Sequence, residues 1–226
     1  MPTIPARPYD YSLPQKTHLA LLIIDMQRDF LEPGGFGEIL GNDVSKLQSI
    51  VPALQRLQSA FREQGITIIQ TKEGHRADLS DCPVSKRMRG KGNLTIGDEG
   101  PVGRILITGE PGNNIIEAVK PLPGEIVINK PGKGAFYQTD LEKILQKQQV
   151  THIIFTGVTT EVCVQSTMRE ANDRGYECLL VEDATASYLP EFKQSTLEMI
   201  RAQGGIVGWT ATTQQVIESL AAYGPP

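Results

Sequence analysis

Six short apolar runs, rich in β-branched residues and separated by amphipathic stretches, restrict this chain to very few architectures. The runs are Leu19–Ile24 and residues 66–70, 125–129, 152–155, 177–181 and 206–209. Short runs dominated by apolar, β-branched residues are what strands buried on both faces show. Between the runs, Val44, Leu47, Ile50, Leu54, Leu57 and Phe61 recur at spacings of three and four. Pro52 sets the start of that main helix near Val51, and Gly65 stops it. Thr139 and Glu142 form a T-x-x-E capping box ahead of Leu141, Ile144 and Leu145. A further helix over 161–174 ends at Gly175, another opens at Pro190 and stops at Gly204 and Gly205, and a last one covers 213–223. Regular alternation of strand and helix gives the expected fold class: α/β, a three-layer doubly wound domain with a mostly parallel six-stranded sheet and helices on both faces.

Composition narrows the function classes. A length of 226 residues favours one domain, and 39% apolar with 21% charged residues excludes a disordered chain. A net charge of −4 supplies no basic field, so neither nucleic acid nor an anionic membrane is an expected partner. The longest apolar run is far shorter than the roughly 20 residues of a membrane span. Cys82, Cys163 and Cys178 are odd in number and lack CxxC spacing, which argues against a disulfide framework and a thiolate zinc site and for a reducing compartment. Residues 1–18 contain Pro2, Pro5, Pro8 and Pro14 and no apolar signal core, so they read as an extended arm ahead of a domain spanning 19–226, and the expected location is cytoplasmic. Residues 71–112, rich in Gly, Pro and charge and without a clear period, read as a long functional loop, a lid or an oligomer contact.

Reactive side chains gather where an open α/β sheet binds its ligands, beyond the carboxyl ends of the strands. Asp25 directly follows the first run, Lys130 follows the third, and Cys163 lies just inside the helix after the fourth. Each also has a plain structural reading, as loop cap, solvated charge and small buried group. Together they describe a nucleophile: a thiol in the first turn of a helix, beside an ammonium, is expected to have a lowered pKa and to rest as thiolate. None of His18, His75 and His152 follows a strand in the same way, which leaves Asp25 as the proton shuttle.

At these positions the chain resembles the isochorismatase-like cysteine hydrolases. The likeness rests on LLIIDMQRDF at 21–30, INKPGKGAF at 128–136 and TGVTTEVCVQSTMREANDRGYE at 156–177. It implies an Asp25–Lys130–Cys163 triad, an oxyanion hole from the backbone N–H groups of Thr159 and Cys163, a cis peptide before Thr159, and a homotetramer. Within that family, TKEGHRADLSD at 71–81, GDEGPVGRILITGEPG at 97–112, REANDRGYECLLVED at 169–183 and AQGG at 202–205 are most similar to the biuret hydrolases. That likeness implies substrate contacts from Lys133 and Gln203 and pocket walls at Phe30 and Phe136. Lys133 as a solvated loop charge and Gln203 as a helix-end residue remain the structural alternatives.

Members of the family that carry an Asp-x-His metal site have it after the second strand, where this chain reads Lys72, Glu73, Gly74, His75. No metal and no cofactor are therefore expected, and His75 reads as a loop hydrogen-bonder. The branch that cleaves isochorismate lacks the cysteine, so vinyl-ether chemistry is disfavoured. Lys86, Arg87, Arg89 and Lys91 read as a solvated face, with a charged lid as the alternative. The expected function is hydrolysis of a small-molecule carbamoyl amide of the biuret or triuret type through a covalent acyl-enzyme. Ureidoacrylate or another N-carbamoyl amide is the second choice. A catalytically silent binding module, or a redox role for Cys163, is the different-class alternative.

Overall fold

The computed structural model describes residues 2–89 and 94–224. Its centre is a six-stranded sheet of β1 (Leu19–Ile24), β2 (Thr67–Glu73), β3 (Ile126–Lys130), β4 (His152–Val158), β5 (Glu177–Ala186) and β6 (Trp209–Ala211). Every pairing is parallel, and the order is β6-β5-β4-β1-β2-β3. The chain builds outward from β1 in one direction through β2 and β3, then returns and builds the other way from β4. The switch point of a doubly wound sheet, where a crevice opens above the carboxyl ends of the strands, therefore lies between β1 and β4.

All six residues of β1 are buried, and they divide between two cores. Leu19, Leu21 and Ile23 join Leu54, Leu57 and Phe61 of α1 (Val51–Glu63) and Val216 and Leu220 of α5 (Thr213–Leu220). Ala20, Leu22 and Ile24 join Leu141 and Leu145 of α2 (Leu141–Lys147), Met168 and Ala171 of α3 (Gln165–Asp173), and Leu197 and Ile200 of α4 (Pro190–Gly205). A strand between two helical layers has no polar face, which is why these runs read as continuously apolar.

Four local expectations are corrected. The sixth strand is Trp209–Ala211, not 206–209: left-handed backbone at Gly204 and Gly205 carries the chain out of α4, Ile206 is exposed, and pairing with β5 starts only at Trp209. The capping box at Thr139 and Glu142 does not form. Thr139 Oγ1 donates to Ala135 O at 2.5 Å, and Glu142 instead accepts from Arg174, Gln146 and Tyr176. Helix α4 loses helical geometry at Ala202 and Gln203, ahead of the glycines. The helix expected over 161–174 is in two parts, a wide π-helical turn Thr160–Val164 followed by α3.

The segment expected as a loop from 71 is partly strand, because β2 continues through Glu73 in register with Lys130. Beyond it, Cys82, Ile96, Ile105 and Leu106 form a small core of their own against Phe30, Phe36, Ile39 and Leu79. The Pro-rich arm lies on the body: Thr3–Ile4 pairs with Tyr11–Ser12, and Ile4, Tyr11 and Leu13 are buried in the α1 and α5 core.

Candidate active site

Asp25 leaves β1 in a left-handed conformation, with φ of 52°. Asp tolerates that region better than most residues, and such backbone tends to occur where a side chain must be aimed. Its N–H donates to Thr71 O at 3.2 Å, and its Oδ1 accepts from Thr71 Oγ1 at 2.6 Å, so β2 fixes the carboxylate. Gly157 lets β4 close on this corner: its φ is 98°, and a Cβ there would stand 2.1 Å from Ile24 O.

Lys130 ends β3, two strands away from β1. Strands are about 4.8 Å apart, so only a long side chain crosses β2 to reach Asp25. Its Nζ lies 2.7 Å from Asp25 Oδ2, and donates to Gly132 O and Lys133 O at 2.9 and 3.0 Å. Both residues are fully buried. Burial opposes the ammonium, but the charges of Asp25, Cys163 and Glu73 outweigh it and hold the lysine above its usual range.

Cys163 sits in the π-helical turn after β4, nearly buried, with its Sγ 3.5 Å from Glu73 Oε2. Expected as a resting thiolate, it is instead pushed well up: burial is the largest cause, Lys130 opposes it, and the carboxylates of Asp25 and Glu73 add to it. The unliganded site therefore holds a thiol, and a proton must leave as the nucleophile forms.

Glu73 is the residue that sequence reasoning missed. It is fully buried at the end of β2, and its Oε1 accepts from Lys133 and from Lys86, each at 2.8 Å, while Oε2 stands 3.7 Å from Lys130 Nζ. Burial would raise its pKa, but the three ammoniums win and lower it to about 2. Placement at a strand's carboxyl end, the criterion that selects Asp25 and Lys130, also selects Glu73 once β2 is extended to it. Lys86, expected on a solvated face, donates to Pro131 O at 2.8 Å and stands 3.0 Å from His75 Nε2. Lys91 of the same cluster lies outside the described residues. His75 is buried with Nδ1 3.3 Å from Asp81, and burial with the Lys86 charge lowers its pKa, so it is a neutral anchor.

Above Cys163 opens a cavity of about 230 Å³. Phe30, Phe36, Leu40, Val158, Val162 and Tyr188 make walls more apolar than expected, and Glu73, Lys133, Glu161 and Asn42 supply polar groups. Thr159 also lines it, directly after the Val158–Thr159 peptide, which is cis. The structure thus brings Asp25, Lys130, Cys163, Lys133, Thr159 and Phe30 together. Phe136 lies elsewhere, buried against Tyr176 with the Arg174 guanidinium 4.8 Å over its ring. Gln203 is exposed at the end of α4 and lines a separate depression with Arg169 and Met199.

Oxygen and sulfur atoms of Asp25, Glu73 and Cys163 lie within 4.8 Å of one another, close enough to hold a cation. The Lys130 ammonium already stands against both carboxylates and supplies that charge. What remains is a carboxylate and an ammonium beside a thiol that lines a small cavity, an arrangement that nucleophilic acyl transfer can use.

Over nearly its whole length the chain is similar to named amidohydrolases. The chain is 32% identical to the ureidoacrylate amidohydrolase RutB of Enterobacter sp. strain 638, covering 100% of this chain and 97% of that protein. It is 30% identical to the ureidoacrylate amidohydrolase RutB of Cronobacter sakazakii, covering 97% and 95%. A cysteine hydrolase from Pseudomonas syringae pv. phaseolicola shares the fold with a TM-score of 0.80 at 24% identity, over 99% of each chain. The isochorismatase domain matches residues 19–214, the whole span from the first strand into the last helix, and the chain belongs to the isochorismatase family of hydrolases.

Proposed function

We propose that this protein is a cysteine amidohydrolase that cleaves a small carbamoyl amide through a covalent acyl-enzyme and releases ammonia. The observation that carries this reading is the Cys163 thiol within 4.8 Å of an Asp25 carboxylate oxygen, with Lys130 Nζ 2.7 Å from Asp25 Oδ2. Asp25 takes the thiol proton as sulfur attacks the carbonyl carbon, and the N–H groups of Thr159 and Cys163 receive the developing oxyanion. The C–N bond breaks as Asp25 returns the proton to the leaving nitrogen, which departs as ammonia. Water then adds to the thioester, giving its proton to Asp25, and the C–S bond breaks with reprotonation of sulfur. Glu73 lies 3.5 Å from the sulfur but is a poor base, since its three lysines hold it near 2.

Biuret or triuret is the first choice of substrate. Lys133 and Glu73 offer a donor and an acceptor beside the thiol, and repeated urea groups satisfy both. Ureidoacrylate is the second reading, favoured by the relatives at 30 and 32% identity. Ammonia release across biuret, triuret, ureidoacrylate and nicotinamide tests the proposal. The expected result is a kcat/KM for a carbamoyl amide roughly a hundredfold above that for nicotinamide. A preference for nicotinamide, or no ammonia from any carbamoyl amide, overturns it.

A further inference from the structure

Three charged side chains line the cavity, Glu73, Lys133 and Glu161, and their partners are unequal. Lys133, an exposed side chain, pairs with Glu73 at 2.8 Å. Lys86 is taken by the same carboxylate at 2.8 Å, and Lys130 by Asp25 at 2.7 Å. Three ammoniums thus face two protein carboxylates, Asp25 and Glu73, and among the described residues none of them pairs with Glu161. Glu161, unlike Asp25 and Glu73, has no ion pair among the described residues, and its Oε2 is buried without a hydrogen-bond partner among them. The nearby phenol that could serve it, Tyr188, donates instead to Phe30 O at 2.6 Å. A buried acceptor without a donor is costly, and occupation of the cavity by a ligand that brings N–H groups removes the cost.

We infer that Glu161 determines specificity: its carboxylate accepts N–H from the distal end of an uncharged, N–H-rich carbamoyl amide and rejects amides whose distal end is a carboxylate. The inference rests on the amidohydrolase reading above and sharpens it, because it separates the two substrates left open there. An anionic group placed against Glu161 meets a carboxylate that no ammonium pairs with among the described residues, and desolvating two like charges together is unfavourable. A neutral urea chain ends in an NH2 group that Glu161 and the apolar walls both accommodate.

The test compares biuret with ureidoacrylate in the wild type, Glu161→Gln and Glu161→Ala. In the wild type biuret is expected to have the higher kcat/KM. Glu161→Gln keeps the shape and removes the charge, so the ratio of the two kcat/KM values should narrow by about tenfold, mainly through a lower KM for ureidoacrylate. A variant that merely perturbs the fold would lower both substrates together. A wild-type preference for ureidoacrylate, or a ratio unchanged within about twofold in both variants, overturns the inference. Protection of Cys163 against iodoacetamide reads binding without turnover. Neutral ligands should protect the wild type better than anionic ones, and Glu161→Gln should reduce that difference. Equal protection by both overturns the inference even if neither compound is hydrolysed, whereas loss of all ammonia release with selective protection intact overturns only the amidohydrolase reading.

Discussion

The ammonium of Lys86 lies 2.8 Å from Glu73 Oε1 and 2.8 Å from Pro131 O, so one side chain from the segment after β2 ties together the chain ends of β2 and β3. Glu73 in turn touches Lys133 and the Cys163 sulfur. The segment that packs Phe30 and Phe36 into the cavity wall is therefore anchored through the same carboxylate that faces the thiol.

Lys86→Met should loosen that anchor. Glu73 keeps Lys130 and Lys133, so the cost is expected at about 1–2 kcal/mol, less than for a buried charge left with no partner. Thermal melts should fall by roughly 3–6 °C and kcat/KM by about tenfold. Lys143→Met, which breaks an exposed pair with Asp140, is the control and should leave both unchanged. Equal effects from the two substitutions would count against the anchor.

Cys163→Ser should fold and lose nearly all turnover, since a hydroxyl lacks the acidity of a thiol and no histidine base stands by. Residual activity within about tenfold of wild type would remove Cys163 from the mechanism. Because burial raises the resting thiol, iodoacetamide labelling of unliganded enzyme should keep climbing as pH passes the ordinary thiol range. A labelling rate that is already flat at neutral pH would restore the thiolate.

Two buried carboxylates should give stability opposite pH slopes. Glu73, lowered from 4.5 to about 2, contributes stability above pH 4.5 that is lost as pH falls toward 2. Asp29 is raised from 3.8 to about 6, chiefly by burial, although Leu106 N–H donates to it at 3.2 Å. Its contribution is full below pH 3.8 and is lost as pH rises through 6. Asp29→Asn should raise stability at pH 7.5 by about 2 kcal/mol and leave it nearly unchanged at pH 4. Denaturant titrations at the two pH values check this, and an equal effect at both would contradict it.

Exhaustive dialysis against EDTA should leave turnover intact. The positive charge that a metal would bring to Asp25 and Glu73 is provided by Lys130. Abolition by chelation with recovery on adding one divalent metal would show that a cation displaces the ammonium.

Apolar continuity in Leu19–Ile24 and its counterparts determined the fold class, because a strand covered on both faces leaves an unmistakable local record. It also determined where Asp25, Lys130 and Cys163 would emerge, since each follows its run in the chain. Boundaries set by long-range pairing were not legible in the same way. Glu73 belongs to β2 only because Lys130 pairs with it, and Trp209 opens β6 only because β5 lies beside it. Thr139 and Glu142 had the spacing of a capping box, but Thr139 accepts only from Leu141 N–H while Glu142 turns to Gln146 and Arg174, so the reciprocal bond is missing. Tertiary structure alone decided the electrostatics. Lys86 reads as one charge in a solvated run until folding brings it to a carboxylate 13 residues away, and Cys163 reads as a thiolate until burial and two carboxylates outweigh Lys130. Pattern along the chain records burial, whereas pKa and pairing depend on which charges meet across the sheet, and that is settled only when the strands assemble.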